Sequence, residues 1–257
     1  MNAVKPWLSV VTVVRDDLLG LRQSLASLNR QNFSNVELVV IDSSLEPHGV
    51  LAAVNEFPGS KRVEWTQPEG VYPAMNQGLA LAKGDYIYFL NAGDTLIDPQ
   101  VLSDLHSVIT ASKPQWLVGL VEITETNGNR VTSTQWDFNA ERAAFFSRGV
   151  FPPHQGTVVR TELLRKIGGF NTEYKIAADY AAALSLSLIA EPLMSNRVIA
   201  CFSEGGLSTK KWKESFREFH HARLQILQPR GWGRIVEQWN YSRHYVLVWF
   251  VRTLRQP

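Results

Sequence analysis

The stretch EGVYPAMNQGLALAKGDYIYFLNAGD, Glu69 to Asp94, decides the fold. Its first half predicts a helix over Tyr72–Lys83, with Met75, Leu79 and Ala82 on one side. Gly84 reads as the C-terminal stop of that helix. Tyr86–Leu90 is a short apolar run that reads as a buried strand. It leads straight into the polar turn Asn91-Ala92-Gly93-Asp94. A helix followed by a buried strand is the repeating unit of a parallel sheet covered by helices. Such sheets bind ligands beyond the carboxyl ends of their strands.

The same pattern extends toward the N-terminus. Leu8–Val14 is a valine-rich run that predicts a buried strand, with Asp16 and Asp17 after it. Leu18, Leu21, Leu25 and Leu28 recur at helical spacing and predict a helix over Leu18–Asn29. Val36–Ile41 predicts a second strand, ending at Asp42, Ser43 and Ser44. A helix over Gly49–Phe57, a short strand over Arg62–Trp65 and a helix over Pro99–Ile109 follow. Polar groups recur at strand ends: Asp16, Asp42 and Asn91–Asp94. That recurrence is the main physical sign of a site.

Beyond residue 110 the character changes. Trp116–Thr124 and Arg130–Gln135 predict strands around an Asn127–Gly128 turn, a hairpin signal. Phe145–His154 reads as a loop, Gly156–Arg160 as a short strand and Thr161–Ile167 as a short helix. Gly168 and Gly169 break the chain, and Ala178–Leu188 is an apolar helix with Asp179 near its start. Val198–Phe202 predicts a strand before a Gly205–Gly206 turn. Lys211–Gln228 and Arg234–Leu254 predict two final helices.

With 257 residues, 45% hydrophobic and 19% charged, the chain has the composition of a folded domain with a sizeable core. Its single cysteine, Cys201, excludes an intrachain disulfide. No run of 18 apolar residues predicts a membrane span, and no secretory leader stands at the N-terminus. The overall charge of +2 hides an asymmetry: residues 1–209 carry net −5 and residues 210–257 net +7. The expected organisation is therefore a domain over 1–209, with halves 1–98 and 99–209, and a basic aromatic helical extension over 210–257. Position 15–18 reads Arg-Asp-Asp-Leu, so no glycine-rich phosphate loop or G-x-G-x-x-G follows the first strand. This argues against nucleotidyltransferases and dinucleotide enzymes.

Four segments, Val11–Asp16, Val39–Ser44, Glu69–Asp94 and Gly168–Tyr180, together resemble glycosyltransferase family 2 over about Leu8 to Ser208. The likeness is to bacterial exopolysaccharide and colanic-acid-type enzymes. The resemblance implies a GT-A fold, an α/β domain with a single mostly parallel sheet flanked by helices. It also implies a UDP- or GDP-sugar donor, a saccharide or lipid-linked acceptor and a divalent metal, Mn²⁺ or Mg²⁺. The reaction implied is an inverting transfer in surface polysaccharide synthesis.

By the same resemblance Asp179 is the base that deprotonates the acceptor hydroxyl, and Asp42 contacts the donor's ribose or base. Glu69 and Asn76 hold the donor, with Tyr72 in the same segment, and Asn91–Asp94 is the metal turn, with Asp94 the ligand. His154, Gln155 and Gly206 lie on the acceptor side. Each residue also has a plainer use. Asp42 can cap its own turn, Asn91–Asp94 can be a simple strand-end turn and Asp179 can be a helix N-cap. Asn76 can be a helix surface residue and His154 a buried structural one. The sequence departs from the family where Leu45–His48 follows Asp42, at Pro73, and at Asn91, where relatives carry aspartate. Glu46 is a substitute carboxylate for the first departure. Asn91 keeps open the alternative of an inactive carbohydrate- or nucleotide-binding protein of the same fold.

In the extension, Trp239, Tyr241, Tyr245, Trp249 and Phe250 stand among arginines. That mixture suits the inner-leaflet membrane surface as well as a helix packed on the domain. No nucleic-acid recognition motif is present. The expected location is the bacterial cytoplasm, with the extension as a peripheral membrane contact.

Overall fold

A computed structural model of the chain describes residues 5–46, 49–133, 146–147, 149–206 and 210–254. In chain order the elements begin β1 (Leu8–Val14), α1 (Leu18–Asn29), β2 (Val36–Asp42), α2 (Val50–Asn55), β3 (Ser60–Trp65) and α3 (Val71–Leu81). They continue with β4 (Tyr86–Phe89), β5 (Thr95–Leu96), α4 (Val101–Ser112), β6 (Trp116–Thr124) and β7 (Arg130–Thr132). A 3₁₀ turn (His154–Gly156) leads into β8 (Thr157–Arg160), then α5 (Thr161–Lys166), α6 (Ala178–Ile189) and β9 (Leu193–Ser203). Two helices, α7 (Trp212–Leu227) and α8 (Trp232–Leu254), form the C-terminal extension.

Every residue of β1 and β2 is buried. Continuous apolar runs of this kind belong to parallel strands covered on both faces. β1 pairs in parallel with β2 and with β4, and β3 adds outside β2. The sheet runs β3-β2-β1-β4-β8-β6-β9-β5, with β7 on β6. β8 is antiparallel to both β4 and β6, so a parallel half is joined to a mixed half, in the manner of a GT-A fold. Side chains alternate along each strand. Val10, Leu38 and Tyr88 meet Leu21 and Leu25 of α1 and Leu102 of α4 in one core. Val11, Val39 and Phe89 meet Met75 of α3 and Leu184 of α6 in the other.

The Asn127–Gly128 hairpin forms as expected, with Gly128 at φ +87° joining β6 to β7. The end of α3 differs from expectation. The helix stops at Leu81, and Ala82 turns extended with ψ 133°. Gly84 is therefore not its cap. Its role is steric: a Cβ there would lie 2.5 Å from the backbone nitrogen of Ser9. β9 starts five residues before the expected Val198, and the two-residue β5 carries no periodicity to read. The expected strand residues Thr134 and Gln135 lie outside the described residues, as do Pro47, His48, Phe145 and Leu207–Thr209.

A buried carboxylate secures the link from α3 to β4. Glu37 of β2 accepts from the Ser9 hydroxyl at 2.5 Å, the Lys83 amide at 2.5 Å and the Gly84 amide at 3.1 Å. Glu37→Ala leaves buried donors without an acceptor. It is expected to cost about 2–4 kcal/mol, read as a lowered midpoint in thermal unfolding. An unchanged midpoint would count against this clasp.

Candidate active site

Parallel register brings the strand ends to one edge of the sheet. Val14 lies opposite Asp42, and Val11 opposite Phe89. Asp16 and Ser44 staple the first two ends together. The Asp16 amide donates to Ser44 Oγ at 2.9 Å, and Asp16 Oδ1 accepts from the Leu45 amide at 2.9 Å. Asp16 holds the left-handed φ of 52° to do this. A cleft of about 390 Å³ opens between Asp16–Leu18 and Ser44–Glu46. Asp42 itself is 1% exposed, and its Oδ1 accepts from the Ser44 amide at 2.9 Å. The turn-capping use is thus observed.

The turn after β4 is fixed by α1. Ser24 Oγ donates to the Asn91 carbonyl at 3.0 Å and accepts from the Gly93 amide at 3.1 Å. The Asp94 amide closes the turn onto the Asn91 carbonyl at 2.9 Å. Gly93 has φ +94°, a conformation open to glycine. Asp94 is buried, and its carboxyl titrates at about 6. Burial raises it; the His154 charge, the Gln155 side chain and the Asn91 backbone pull the other way. Asn91 Oδ1 is buried without a hydrogen-bond partner among the described residues.

β8 is hydrogen-bonded to β4, which places the preceding His154–Gly156 turn beside Asn91. Tyr88 anchors that turn by donating to the Gln155 carbonyl at 2.8 Å. His154 bridges two walls of the site. Its Nε2 lies 3.2 Å from Asn91 Nδ2 and its Nδ1 3.6 Å from Asp179 Oδ2. With Asn91 donating, Nε2 accepts and Nδ1 carries the proton toward Asp179. Burial alone would lower the imidazole pKa, but the hydrogen bond and charge of Asp179 and the charge of Asp94 hold it above its ordinary value.

Asp179 lies in the first turn of α6, and the N-cap position belongs to Ala177. The expected capping use is therefore absent. Asp179 Oδ1 accepts from its neighbour's amide, Tyr180 N, at 2.8 Å and from the Tyr72 hydroxyl at 3.0 Å. The same hydroxyl reaches the Ile176 carbonyl at 2.7 Å. Ala177 has no side chain with which to cap, and α7 supplies the acceptor instead. Glu218 takes the amides of Lys175 at 3.1 Å, Ile176 at 2.8 Å and Ala177 at 2.9 Å.

The structure thus gathers Asn91, Asp94, His154, Gln155 and Asp179, with Tyr72 added. One sequence candidate is engaged elsewhere. Asn76 spends its amide on the Phe170 backbone, donating at 2.7 Å and accepting at 2.8 Å. It faces a cavity of about 520 Å³ lined by Gly168–Thr172, and none of the five gathered residues lines that cavity. Glu69 is exposed in the loop before α3, and Gly206 is exposed after β9. Sequence reasoning missed the contact of Tyr72 with Asp179 and missed Ser24 and Glu218. A helix start at Ala177 with no capping side chain is the signal that a remote acceptor is needed. Among the described residues no group of three or more His, Cys, Asp or Glu is arranged to hold a metal.

Residues 9–168 match the family model described as Glycosyl transferase family 2. The chain is 28% identical over 251 residues to a PGL/p-HBAD biosynthesis glycosyltransferase of Mycobacterium bovis, covering 91% of this chain and 93% of that one. Among solved structures it is similar to Staphylococcus aureus TarS 1-349 in complex with UDP, with TM-score 0.67 and 19% identity. That match covers 85% of this chain and 66% of the other; of a longer TarS structure the chain spans 40%. A mannosyltransferase of Pyrobaculum calidifontis in complex with GDP-Man and Mn²⁺ matches with TM-score 0.61 and 15% identity, over 95% of this chain and 74% of that one. At these identities the structures speak for the fold.

The Asp94 titration has a consequence for stability. The folded carboxyl titrates near 6, against 3.8 for an ordinary aspartate. Its ionised form therefore opposes folding; the cost is full above about pH 6 and fades as pH falls toward 3.8. Asp94→Asn keeps an acceptor for Gln155. It is expected to exceed the parent by about 1–3 kcal/mol at neutral pH and to lose that advantage near pH 4. Urea unfolding at both pH values measures the difference, and equal stability at neutral pH would contradict the assignment.

Proposed function

The chain belongs to glycosyl transferase family 2, and from that premise we propose that it transfers a hexose-type sugar, with inversion, from a UDP- or GDP-sugar to an acceptor hydroxyl. The acceptor is a saccharide or lipid-linked glycan of bacterial surface-polysaccharide synthesis, in line with the similarity to the PGL/p-HBAD biosynthesis glycosyltransferase. The observation that supports this reading best is the carboxylate of Asp179. It is held by the Tyr72 hydroxyl and His154, and His154 also contacts the Asn91–Asp94 turn.

In this reading the donor nucleoside lies at the ends of β1 and β2. Asp42 holds the turn there and Glu46 lines the cleft. Glu69, exposed before α3, is on the donor side. Asp94 and Asn91 Oδ1, which has no hydrogen-bond partner among the described residues, offer two hard oxygens of the kind that suit Mn²⁺ or Mg²⁺. The remaining ligands would come from the donor diphosphate and water. When bound, the cation neutralises charge on the departing diphosphate.

The acceptor hydroxyl sits against Asp179, with His154 and Gln155 beside it and Gly206 at the rim. Asp179 takes the hydroxyl proton as the acceptor oxygen bonds to the donor's anomeric carbon. The carbon–oxygen bond to the diphosphate breaks, and its electron pair leaves with the nucleoside diphosphate. Direct displacement of this kind inverts the anomeric centre. Tyr72 holds Asp179 Oδ1, which leaves Oδ2 toward His154 and the acceptor.

A panel of UDP- and GDP-sugars, with Mn²⁺, Mg²⁺ or chelator, tests the reading by nucleoside diphosphate release and by calorimetric binding. The parent is expected to bind one donor and release its diphosphate. Asp179→Asn is expected to keep donor affinity and lose turnover by about 10²–10⁴-fold. Asp94→Ala is expected to lose metal-dependent donor binding. Donor binding without turnover across saccharide and lipid-linked acceptors would favour an inactive binding protein, a reading that Asn91 at the metal turn supports. No binding of any donor would remove both.

A further inference from the structure

Helix α8 faces the wrong way for a helix that exists to pack. The side turned toward α7 carries Glu237, Tyr241 and Tyr245. Glu237 is buried against Arg223 at 2.5 Å and His220 at 3.1 Å, and Tyr241 stacks on His220 at 4.3 Å. The opposite side carries Trp232, Ile235, Val236, Trp239, Val246 and Leu247, all exposed, with Trp232 at 79% and Trp239 at 67%. A globular surface helix ordinarily shows the reverse arrangement. An apolar stripe of this length on a soluble surface marks a contact.

Charge identifies the contact. Glu237 is the only carboxylate of α8, and it is turned inward and paired. Arg243 stands among the exposed apolar side chains, Arg234 is exposed in the first turn of the helix, and Arg230 is exposed just ahead of it. We propose that the outward face of α8 lies in the plane of an anionic phospholipid surface. Its apolar side chains enter the headgroup boundary, and its arginines meet the lipid phosphates. Tryptophan with an apolar body and a polar N–H suits that boundary. Each arginine near an anionic bilayer adds attraction.

The helix lies on the bilayer and does not cross it: no described helix is long and apolar enough to span one. A second copy is disfavoured by the same charges, because pairing two α8 helices would bring arginines together with no exposed acid on either helix. Residues 1–209 carry net −5, so an acidic surface is met best by α8. This inference stands apart from the transferase reading and holds whether or not sugar is moved.

The test is flotation of the full chain with vesicles of phosphatidylethanolamine and phosphatidylglycerol, against vesicles of phosphatidylcholine alone, at low and high salt. The parent is expected to float with the anionic vesicles, at least tenfold more tightly than with the neutral ones and less tightly as salt rises. Ile235→Gln/Trp239→Gln/Leu247→Gln changes only exposed side chains and is expected to keep the parent's thermal unfolding while losing at least tenfold in binding. Arg234→Glu/Arg243→Glu is expected to abolish the preference for anionic vesicles. Quenching of the parent's tryptophans by brominated lipid reads insertion without any variant. The proposal is overturned if the parent does not float, if its tryptophans are not quenched, or if the triple variant folds and binds as the parent does. A lipid-free dimer that the triple variant converts to monomer would assign the face to a second copy and overturn it as well.

Discussion

The hydrogen-bond register of β1 between its two parallel neighbours is the constraint on which the site depends. Val14 must face Asp42 and Val11 must face Phe89 for Asp16, Asp42 and Asn91 to emerge on one edge. A slip of one residue would turn Val10 and Val11 to the opposite cores, each built from different helices. The apolar runs are thus more than filler. Burial on both faces fixes the register, and register converts three separate polar endings into one surface. Glycine takes part in the same constraint, because Gly78 lets α3 cross β1 where a Cβ would meet Val11 Cγ1 at 2.3 Å.

The opposite wall comes from far along the chain and is held by different means. Two carboxylates do similar work at its joints. Glu37 collects a hydroxyl and two amides where α3 turns into β4, and Glu218 collects three amides where the chain turns into α6. An acceptor-only group with several lone pairs suits a bend that leaves consecutive amides without partners. The consequence is orientation. Asp179 begins a helix whose entry is fixed from outside, and Tyr72 reaches it from α3. The carboxylate is therefore anchored from α3 while the start of its own helix is fixed from α7.

Much of this was legible in the sequence, and the reasons differ by element. β1, β2 and α1 announce themselves because burial on a strand or one helical face leaves a periodic trace. The strand-end aspartates were legible because polar residues interrupt apolar runs. β5 was not, since two residues carry no period. Neither was the early start of β9, whose first residues are only partly buried and break the pattern of Val198–Phe202. Gly84 reads as a helix stop, but its constraint is a distant backbone, which no local pattern records. The same limit explains Asn76 and Glu218. The amide of Asn76 and the carboxylate of Glu218 are claimed by loops more than 40 residues away in sequence. Composition showed that the last segment is basic and aromatic, but it did not show which side of α8 turns outward.

That orientation has an energetic logic. A helix that keeps its apolar side chains for another surface must hold the protein with polar ones. Burying Arg223 and Glu237 costs desolvation, which a single pair repays only with good geometry and further partners. Arg223 has them: it donates to the Phe146 carbonyl at 3.0 Å and meets the Tyr180 hydroxyl at 3.1 Å besides reaching Glu237. Tyr180 in turn donates to the Phe146 carbonyl at 2.7 Å, and burial pushes its phenol up to about 12, so it remains a donor at any physiological pH. The clasp for α8 is therefore built on the residue next to Asp179. One guanidinium holds the outer helix and braces the helix that carries the carboxylate, so removing it would loosen both ends of the arrangement at once.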